Sequence, residues 1–547
     1  MNIFNVISDK LLKMQNQNER KIIELSDVHF INELREFKKM ISSLIGAHGN
    51  LNVFVTGGGY IQLGSSSAQL TNFFDQFNNP LIQLVINIIK NQDDFGLYVG
   101  VLVVSILENA LEFEKSSVLV NREELINFLM ENFASICNSS RMKIPVSYDS
   151  TTDFMSVVRT ILTSKFACRL RKSSILELST IIVKSFLYSL DDEHMTMGKV
   201  IVNVLDGREI FKYYPGFLYQ LVDYEDDWIC NIVEELDHAK VKILLFTTSL
   251  TFNENDNDIC GEYDLQIESD LKKRNIFQIL EQAIAFDTKV IACQKVVNNE
   301  VALFLRRKSV IVIHRMGTEL AKQVENASNA FPISDLSQVV SEKVDDLTGV
   351  IDALDVIQFG DRRFLQMNNE SNMGTLLLQA PSYLSVQLKI VVEQALKTLQ
   401  KLSSSPFICP GASCFEISLW IQIQELGRKR FKNMRWEWLL QAFVHASGGK
   451  LPLWSDSVYN HAWEDEDSCS CNCGLVSKDM VTKLNANWTY MNSFDCKIDN
   501  KCDIETLKIA GESLVDLFHA KCNAINIALE TCSNICSIGS VVYRKRL

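Results

Sequence analysis

Several groupings of residues in this chain could do chemistry. Cys469-Ser-Cys-Asn-Cys473 concentrates three thiols in five residues. A structural zinc site wants four ligands in pairs at C-x₂₋₄-C spacing. Alternate cysteines point apart in an extended chain, and no matching pair with histidine stands nearby. The segment reads as a cysteine-rich surface loop, with a metal site as the alternative that zinc analysis decides. Asp93–Asp94 precede an apolar helical pattern. They could hold Mg²⁺ or simply favour the helix dipole, and the dipole reading is the better one from spacing, because Mg²⁺ sites usually also need a phosphate partner. Gly57-Gly58-Gly59 is a flexible turn and does not by itself make a phosphate cradle. Acidic runs at Glu464–Asp467 and Glu254–Asp258 read as solvated faces, and the eight histidines do not cluster. No Walker-type loop, His-Glu-x-x-His pair or nucleophile elbow occurs.

The elements that must carry these residues fall into three zones. Up to about residue 140 the pattern is mostly helical. Leu81, Leu84, Val85, Ile88 and Ile89 recur at helical spacing behind Asn79 as N-cap and Pro80 as first helical residue. A second apolar helix covers Val99–Leu111, and Asn52–Ala68 fits either a hairpin or a loop. From about 210 to 350 the rhythm changes. Short strand-like runs at Lys242–Thr248, Lys289–Cys293 and Ser309–His314 alternate with helical patterns such as Ile276, Ile279, Leu280, Ala283 and Ile284, which indicates an α/β domain. Asn253–Asp264 is polar and acidic and reads as a solvated loop or arm. Helix returns at Leu388–Leu402, Ile417–Phe443 and Leu514–Ile535, around an irregular Leu453–Asn500. Helical ends around an α/β centre predict a discontinuous domain with the middle inserted.

Composition bounds the function. At about 150 residues per domain, 547 residues predict three to four domains. With 47% apolar and 22% charged residues, the chain is ordinary globular material and not a disordered or fibrous one. Only 8 prolines and 23 glycines leave long uninterrupted elements. Lysine and arginine number 54 against 67 acids, a net charge of −13, which argues against a sequence-independent grip on nucleic acid. No apolar run approaches the ~18–20 residues that span a bilayer, so no membrane insertion is expected. Met1–Leu12 lack the pattern of a secretory signal, and the 15 cysteines are expected to be reduced thiols in the cytosol.

The order of segments resembles the group II chaperonins, the family of the eukaryotic cytosolic ring chaperonin and the archaeal thermosome. Val290-Ile-Ala-Cys-Gln-Lys295 looks like the apical VVLCQK strand, and Ser309-Val-Ile-Val-Ile-His-Arg315 like the strand that follows it. Asn79-Pro80 matches the His-Pro after the NDGATIL loop, and Leu514-Val-Asp-Leu-Phe-His-Ala-Lys521 looks like the VIEPLRVK helix. Ile144-Pro-Val146, Val158–Cys168, Leu107-Glu-Asn109 and Cys471-Asn-Cys-Gly-Leu475 are closest to a divergent chaperonin-like branch of the family. The resemblance implies a mixed α and α/β multidomain chain: a helical equatorial domain from residues 1–143 and 388–547, a small α/β intermediate domain from 144–210 and 346–387, and an α/β apical, substrate-binding domain at 211–345.

The resemblance also implies a nucleotide site. Its LGPKG turn becomes Ile45-Gly-Ala-His-Gly49, keeping Gly46 and Gly49 for close backbone approach. Its GDGTTT loop becomes Asp93-Asp-Phe-Gly-Leu-Tyr98. Asp94 keeps the Mg²⁺-binding carboxylate and Gly96 stands among the replaced threonines, while Asp93 adds a repulsive charge. Lys165 matches the lysine near the γ-phosphate, and Gly411 is the one glycine kept from GGGA. The two aspartates that activate water become Ser67 and Gln394, neither able to act as a carboxylate base. Loss of a water-positioning group lowers nucleotide hydrolysis by orders of magnitude. ATP with Mg²⁺ is therefore expected to bind weakly or not at all, and turnover to be very weak or absent. The hinge Arg-Gly-Gly becomes Gln379-Ala-Pro381, replacing freedom with a fixed φ. The lid segment Thr251–Gln278 is only loosely similar.

The function so implied is a chaperonin-like assembly factor. Its partners would be other chaperonin-like proteins, cytosolic ring chaperonin subunits and, as clients, subunits of the ciliary Bardet–Biedl coat complex, in the cytosol and at the centrosome or ciliary base. The alternatives are an active ATP-hydrolysing folding chaperonin and a centrosomal scaffold without a folding role.

Overall fold

In the computed structural model, the residues described are 20–24, 28–45, 52–55, 59, 61–64, 77, 79–92, 95–115, 121–138, 143–146, 151–165, 170–190, 197–221, 226–236, 239–252, 262–336, 339, 344–368, 373–411, 413–432, 434, 436–448, 514–538 and 540–544. They fall into two units. One is built from both ends of the chain, residues 1–183 and 383–547; the other is residues 184–382.

The first unit begins with strand β1 (Arg20–Glu24) and helix α1 (Val28–Ser42), which buries Phe30, Leu34, Phe37 and Ile41 at helical spacing. Strands β2 (Asn52–Val55) and β3 (Ile61–Gly64) pair antiparallel, so this part of the ambiguous segment is a hairpin. Helix α2 (Pro80–Asn91) starts as its sequence predicts: the Asn79 side chain accepts the Leu81 N–H at 3.1 Å, and Pro80 sits in the first turn. Its buried face is Leu81, Ile82, Val85, Ile86 and Ile89, whereas Leu84 is exposed. A helix this apolar offers two neighbouring stripes, and its packing on the next helix selects one. That next helix, α3 (Gly96–Lys115), is buried on all sides from Gly96 through Leu107, as expected of a helix apolar all round. Helix α4 (Arg122–Asn138), strand β4 (Ile144–Pro145), helix α5 (Thr151–Ser164) and helix α6 (Lys172–Tyr188) follow.

The second unit holds the α/β rhythm. Strands β5 (Val200–Asp206) and β6 (Ile210–Pro215) flank a later strand, and β7 (Phe217–Gln220) joins a second sheet. Helix α7 (Asp226–Leu236), strand β8 (Val241–Phe246), helix α8 (Glu262–Ala285), strand β9 (Thr288–Cys293), helix α9 (Asn299–Arg307), strand β10 (Ile311–Ile313), helix α10 (Gly317–Ser328), strand β11 (Pro332–Ile333), helix α11 (Val344–Leu347) and strand β12 (Gly349–Ile351) then alternate. β10, β9, β8 and β11 run parallel in that order, and β12 closes antiparallel on β8. Both faces are covered. Ile243, Leu245, Val290 and Ala292 pack towards α7 and α10, while Leu244, Phe246, Ile291 and Cys293 pack towards α8 and α9. A parallel sheet buried on both faces needs unbroken apolar runs, which is why these strands lack alternation. Glu262–Asp264, expected within a loop, already belong to α8; residues 253–261 lie outside the described residues.

Strands β13 (Ala353–Phe359) and β14 (Arg362–Asn368) form a meander with β7, and β15 (Gly374–Ala380) lies between β5 and β6. Gln379, expected in the hinge segment, is the penultimate residue of β15. Its amide donates to the Asp206 carbonyl at 3.1 Å and fills the space a Cβ at Gly207 would occupy.

Helix α12 (Ser382–Ser404) leads the chain back to the first unit, followed by β16 (Phe407–Pro410), α13 (Cys414–Arg430), α14 (Glu437–Ala446), β17 (Val515–Leu517), α15 (Phe518–Cys536) and β18 (Ser540–Arg544). Two expectations change here. Ile417–Phe443 is two helices, not one. The break gathers Phe431 and Trp436 against Phe128, and Trp420 Nε1 donates to the Trp436 carbonyl at 2.8 Å. Leu514–Ile535 begins as a strand, because Val515–Leu517 pair antiparallel with β16 before the helix starts. β18 pairs antiparallel with β1. Leu453–Asn500, with Cys469–Cys473, lies outside the described residues. Among the described residues, no helix is long and apolar enough to cross a membrane.

Candidate functional site

The predicted nucleotide-site residues are met only in part. Gly46, Gly49, Ser67 and Asp94 lie outside the described residues. Gly96 is the buried first residue of α3. Lys165 follows the last turn of α5 and is half-buried. Gln394 is half-buried in the middle of α12, where its carbonyl accepts the Thr398 hydroxyl at 2.9 Å. Gly411 follows β16, and its N–H donates to the Leu514 carbonyl at 2.9 Å. A Cβ there would stand 3.1 Å from that same oxygen, so the close approach of the β16 and β17 segments favours glycine.

At this junction lies a buried ionic cluster that the sequence reading did not assign. Lys521, at 2% exposure on α15, sits 2.8 Å from Glu416 Oε1 on α13 and also pairs with Asp516 of β17. Glu416 is fully buried, and Ser447 donates its hydroxyl to the same Oε1 at 2.7 Å. The ring of Tyr98, from the first turn of α3, lies 5.8 Å from the Lys521 ammonium, and Phe415 lies at 6.0 Å. Thr160 of α5 accepts the Val515 N–H at 3.0 Å. Gly96 thus opens the helix that carries Tyr98 into the cluster, and Gly411 follows the strand that carries Cys409, the register partner of Asp516. Two signals were available in sequence: the one lysine of α15, and a glutamate four residues after Ala412.

The electrostatics follow from burial. Burial opposes the Lys521 charge, but Asp516 and then Glu416 outweigh it and hold the ammonium's pKa above the ordinary lysine value. Burial, then Glu416 and Asp516, push the Tyr98 phenol well up, so it stays protonated. Burial likewise keeps Cys409 a thiol, against the opposing pull of Lys521. The cluster therefore sets one committed cation between two carboxylates, with a protonated phenol and a protonated thiol beside them. Among the described residues, no group of three or more His, Cys, Asp or Glu could hold a metal ion.

The TCP-1/cpn60 chaperonin family model matches residues 37–446. The chain belongs to that family, as a multidomain protein of mixed helical and α/β content. It is similar to the protein named molecular chaperone MKKS from Mus musculus, at 24% identity over 562 residues, covering 94% of this chain and 95% of the relative. The proteins of the same name from Homo sapiens and Pongo abelii are each 23% identical over 561 residues, with the same coverage.

Proposed function

We propose that this chain is a chaperonin-like assembly factor that holds incompletely assembled partner proteins and turns over ATP very slowly or not at all. Its parts would follow the group II plan: an equatorial base from both chain ends, an intermediate element around the β5–β15–β6 sheet, and an apical layer around β8, β9 and β10. The observation that carries the binding role is the exposure of three apolar side chains on the layer read as apical. Leu271 of α8, Val296 in the segment before α9, and Leu303 of α9 are exposed at 53%, 40% and 54%. Their two helices are held side by side by the Lys273–Glu300 ion pair at 2.6 Å and the edge-on rings of Phe277 and Phe304. Exposed apolar side chains on and beside two packed helices suit the apolar segments of an unassembled protein.

The reduced ATPase is supported by what stands at the start of α3. Leu97 and Tyr98 replace the family's hydroxyls and are both buried, at 6% exposure. The nearby Lys521 cation is already neutralised by two carboxylates. These residues do not fit a phosphate cradle. Purified protein assayed for phosphate release is the test. Turnover at a chaperonin rate refutes the reduced ATPase.

For partners, the reading favours other chaperonin-like proteins, cytosolic ring chaperonin subunits and, as clients, the Bardet–Biedl coat subunits at the ciliary base. The β2–β3 hairpin exposes Val53 and Val55 at 60% each, which suits pairing with another subunit. Affinity capture from ciliated cells separates the readings: chaperonin subunits and coat subunits together support the assembly factor, whereas centrosomal proteins alone support the scaffold.

A further inference from the structure

Outside the ionic cluster, two cysteines 385 residues apart in sequence bring their sulfurs to 3.1 Å: Cys137, in the last turn of α4, and Cys522, near the start of α15. Both are free thiols. We propose that Cys137 and Cys522 form a reversible disulfide when the protein meets a peroxide, tying the N-terminal and C-terminal segments of the first unit together.

The geometry requires little movement. A disulfide bond is about 2.05 Å long, so the sulfurs need to close by roughly 1 Å. Cys137 lies at a helix end, where a shift of this size meets less resistance than in a helix middle. Exposure sets the order of events. Cys137 is half-buried and reachable, whereas Cys522 is 8% exposed. The hydrogen bond with Cys137 and then burial raise the Cys522 pKa, so this sulfur enters the reaction as a thiol; the Lys521 and Lys143 charges act in the opposite direction.

The chemistry balances. The Cys137 sulfur attacks one peroxide oxygen, the O–O bond breaks, and Cys137 becomes a sulfenic acid as the first water leaves. The Cys522 sulfur then attacks the Cys137 sulfur. The S–O bond breaks, the S–S bond forms, and the hydroxyl leaves with the Cys522 proton as a second water. Two thiols lose two electrons and one hydrogen peroxide gains them. A dithiol reductant reverses the bond by exchange.

Cys522 directly follows Lys521, which holds Glu416 and Asp516. The proposed bond therefore anchors the chain beside the buried ionic cluster. The proximity was invisible in sequence, because no short spacing links the two cysteines.

The test uses the purified full-length chain, treated with hydrogen peroxide, alkylated and digested for mass spectrometry under non-reducing conditions. The expected result is a peptide pair joined through Cys137 and Cys522, about 2 Da lighter than the two thiols, lost on adding dithiothreitol and absent from Cys137→Ser. Cys522→Ser should instead leave Cys137 as a stable sulfenic acid that dimedone captures. If Cys522→Ser does not fold, Cys137→Ser alone decides the assignment, since its site is half-buried. Recovery of both cysteines as separate alkylated thiols after peroxide, of either one paired elsewhere, or of Cys137 as a sulfinic acid without the joined peptide overturns the proposal.

Discussion

Lys521 concentrates the residue-level energetics. A buried charge is tolerable when its partners are close, and removing one partner leaves the others uncompensated. Lys521→Met is therefore expected to lower unfolding free energy by about 3–5 kcal/mol in urea titration. Adding Glu416→Gln to that variant should recover part of the loss, because it removes the stranded carboxylate. The pH dependence has a definite sign. The Lys521 pKa is raised on folding, so its contribution is complete below the ordinary lysine value of about 10.4 and is withdrawn as pH climbs beyond it. Tyr98 acts in the same direction from about pH 10, since its phenol is also held protonated. Thermal melts between pH 8 and 11 should be flat at first and fall at the alkaline end. The same fall in Lys521→Met would show that Lys521 is not its source. The residues of this cluster could be read off individually, but their convergence from α3, α13, β17 and α15 could not.

At the level of elements, local chemistry predicts starts better than extents. The Asn79–Pro80 start of α2 is a short-range arrangement of side-chain oxygen and backbone N–H, so it was visible directly. Asn79→Ala should cost about 1 kcal/mol in urea unfolding, by leaving the first turn's donor without its acceptor. The strands β8, β9 and β10 were also visible, because a sheet covered on both faces demands apolar residues without alternation. The face of α2, the division of α13 from α14 and the strand that precedes α15 were not visible. Each depends on a partner outside the segment itself: α3 for the first, Phe128 for the second and β16 for the third. The pair α8 and α9 gives a functional prediction. Leu303→Asp should reduce capture of an unfolded client several-fold, read by pull-down, while changing stability by no more than about 0.5 kcal/mol because the site is exposed. Equal capture by the variant removes this surface from the proposed function.

For the whole molecule, size-exclusion chromatography with light scattering is the informative measurement. The assembly-factor reading expects a monomer or small oligomer of the purified chain, and a closed ring favours the active folding machine. The pairing of β1 with β18 places strands from near both chain ends in a single sheet within one chain, although the intervening sequence is long. Sequence by itself determined the mixed helical and α/β character, the family and the starts of individual elements, because periodicity, capping and short motifs are local and survive at 23–24% identity to relatives. Only the tertiary structure decided which stripe of an apolar helix is buried, where a long helical pattern breaks, how Lys521 is neutralised and that Cys137 meets Cys522. Those outcomes rest on contacts between separate elements, several of them hundreds of residues apart, and their energies exist only once those elements have packed together.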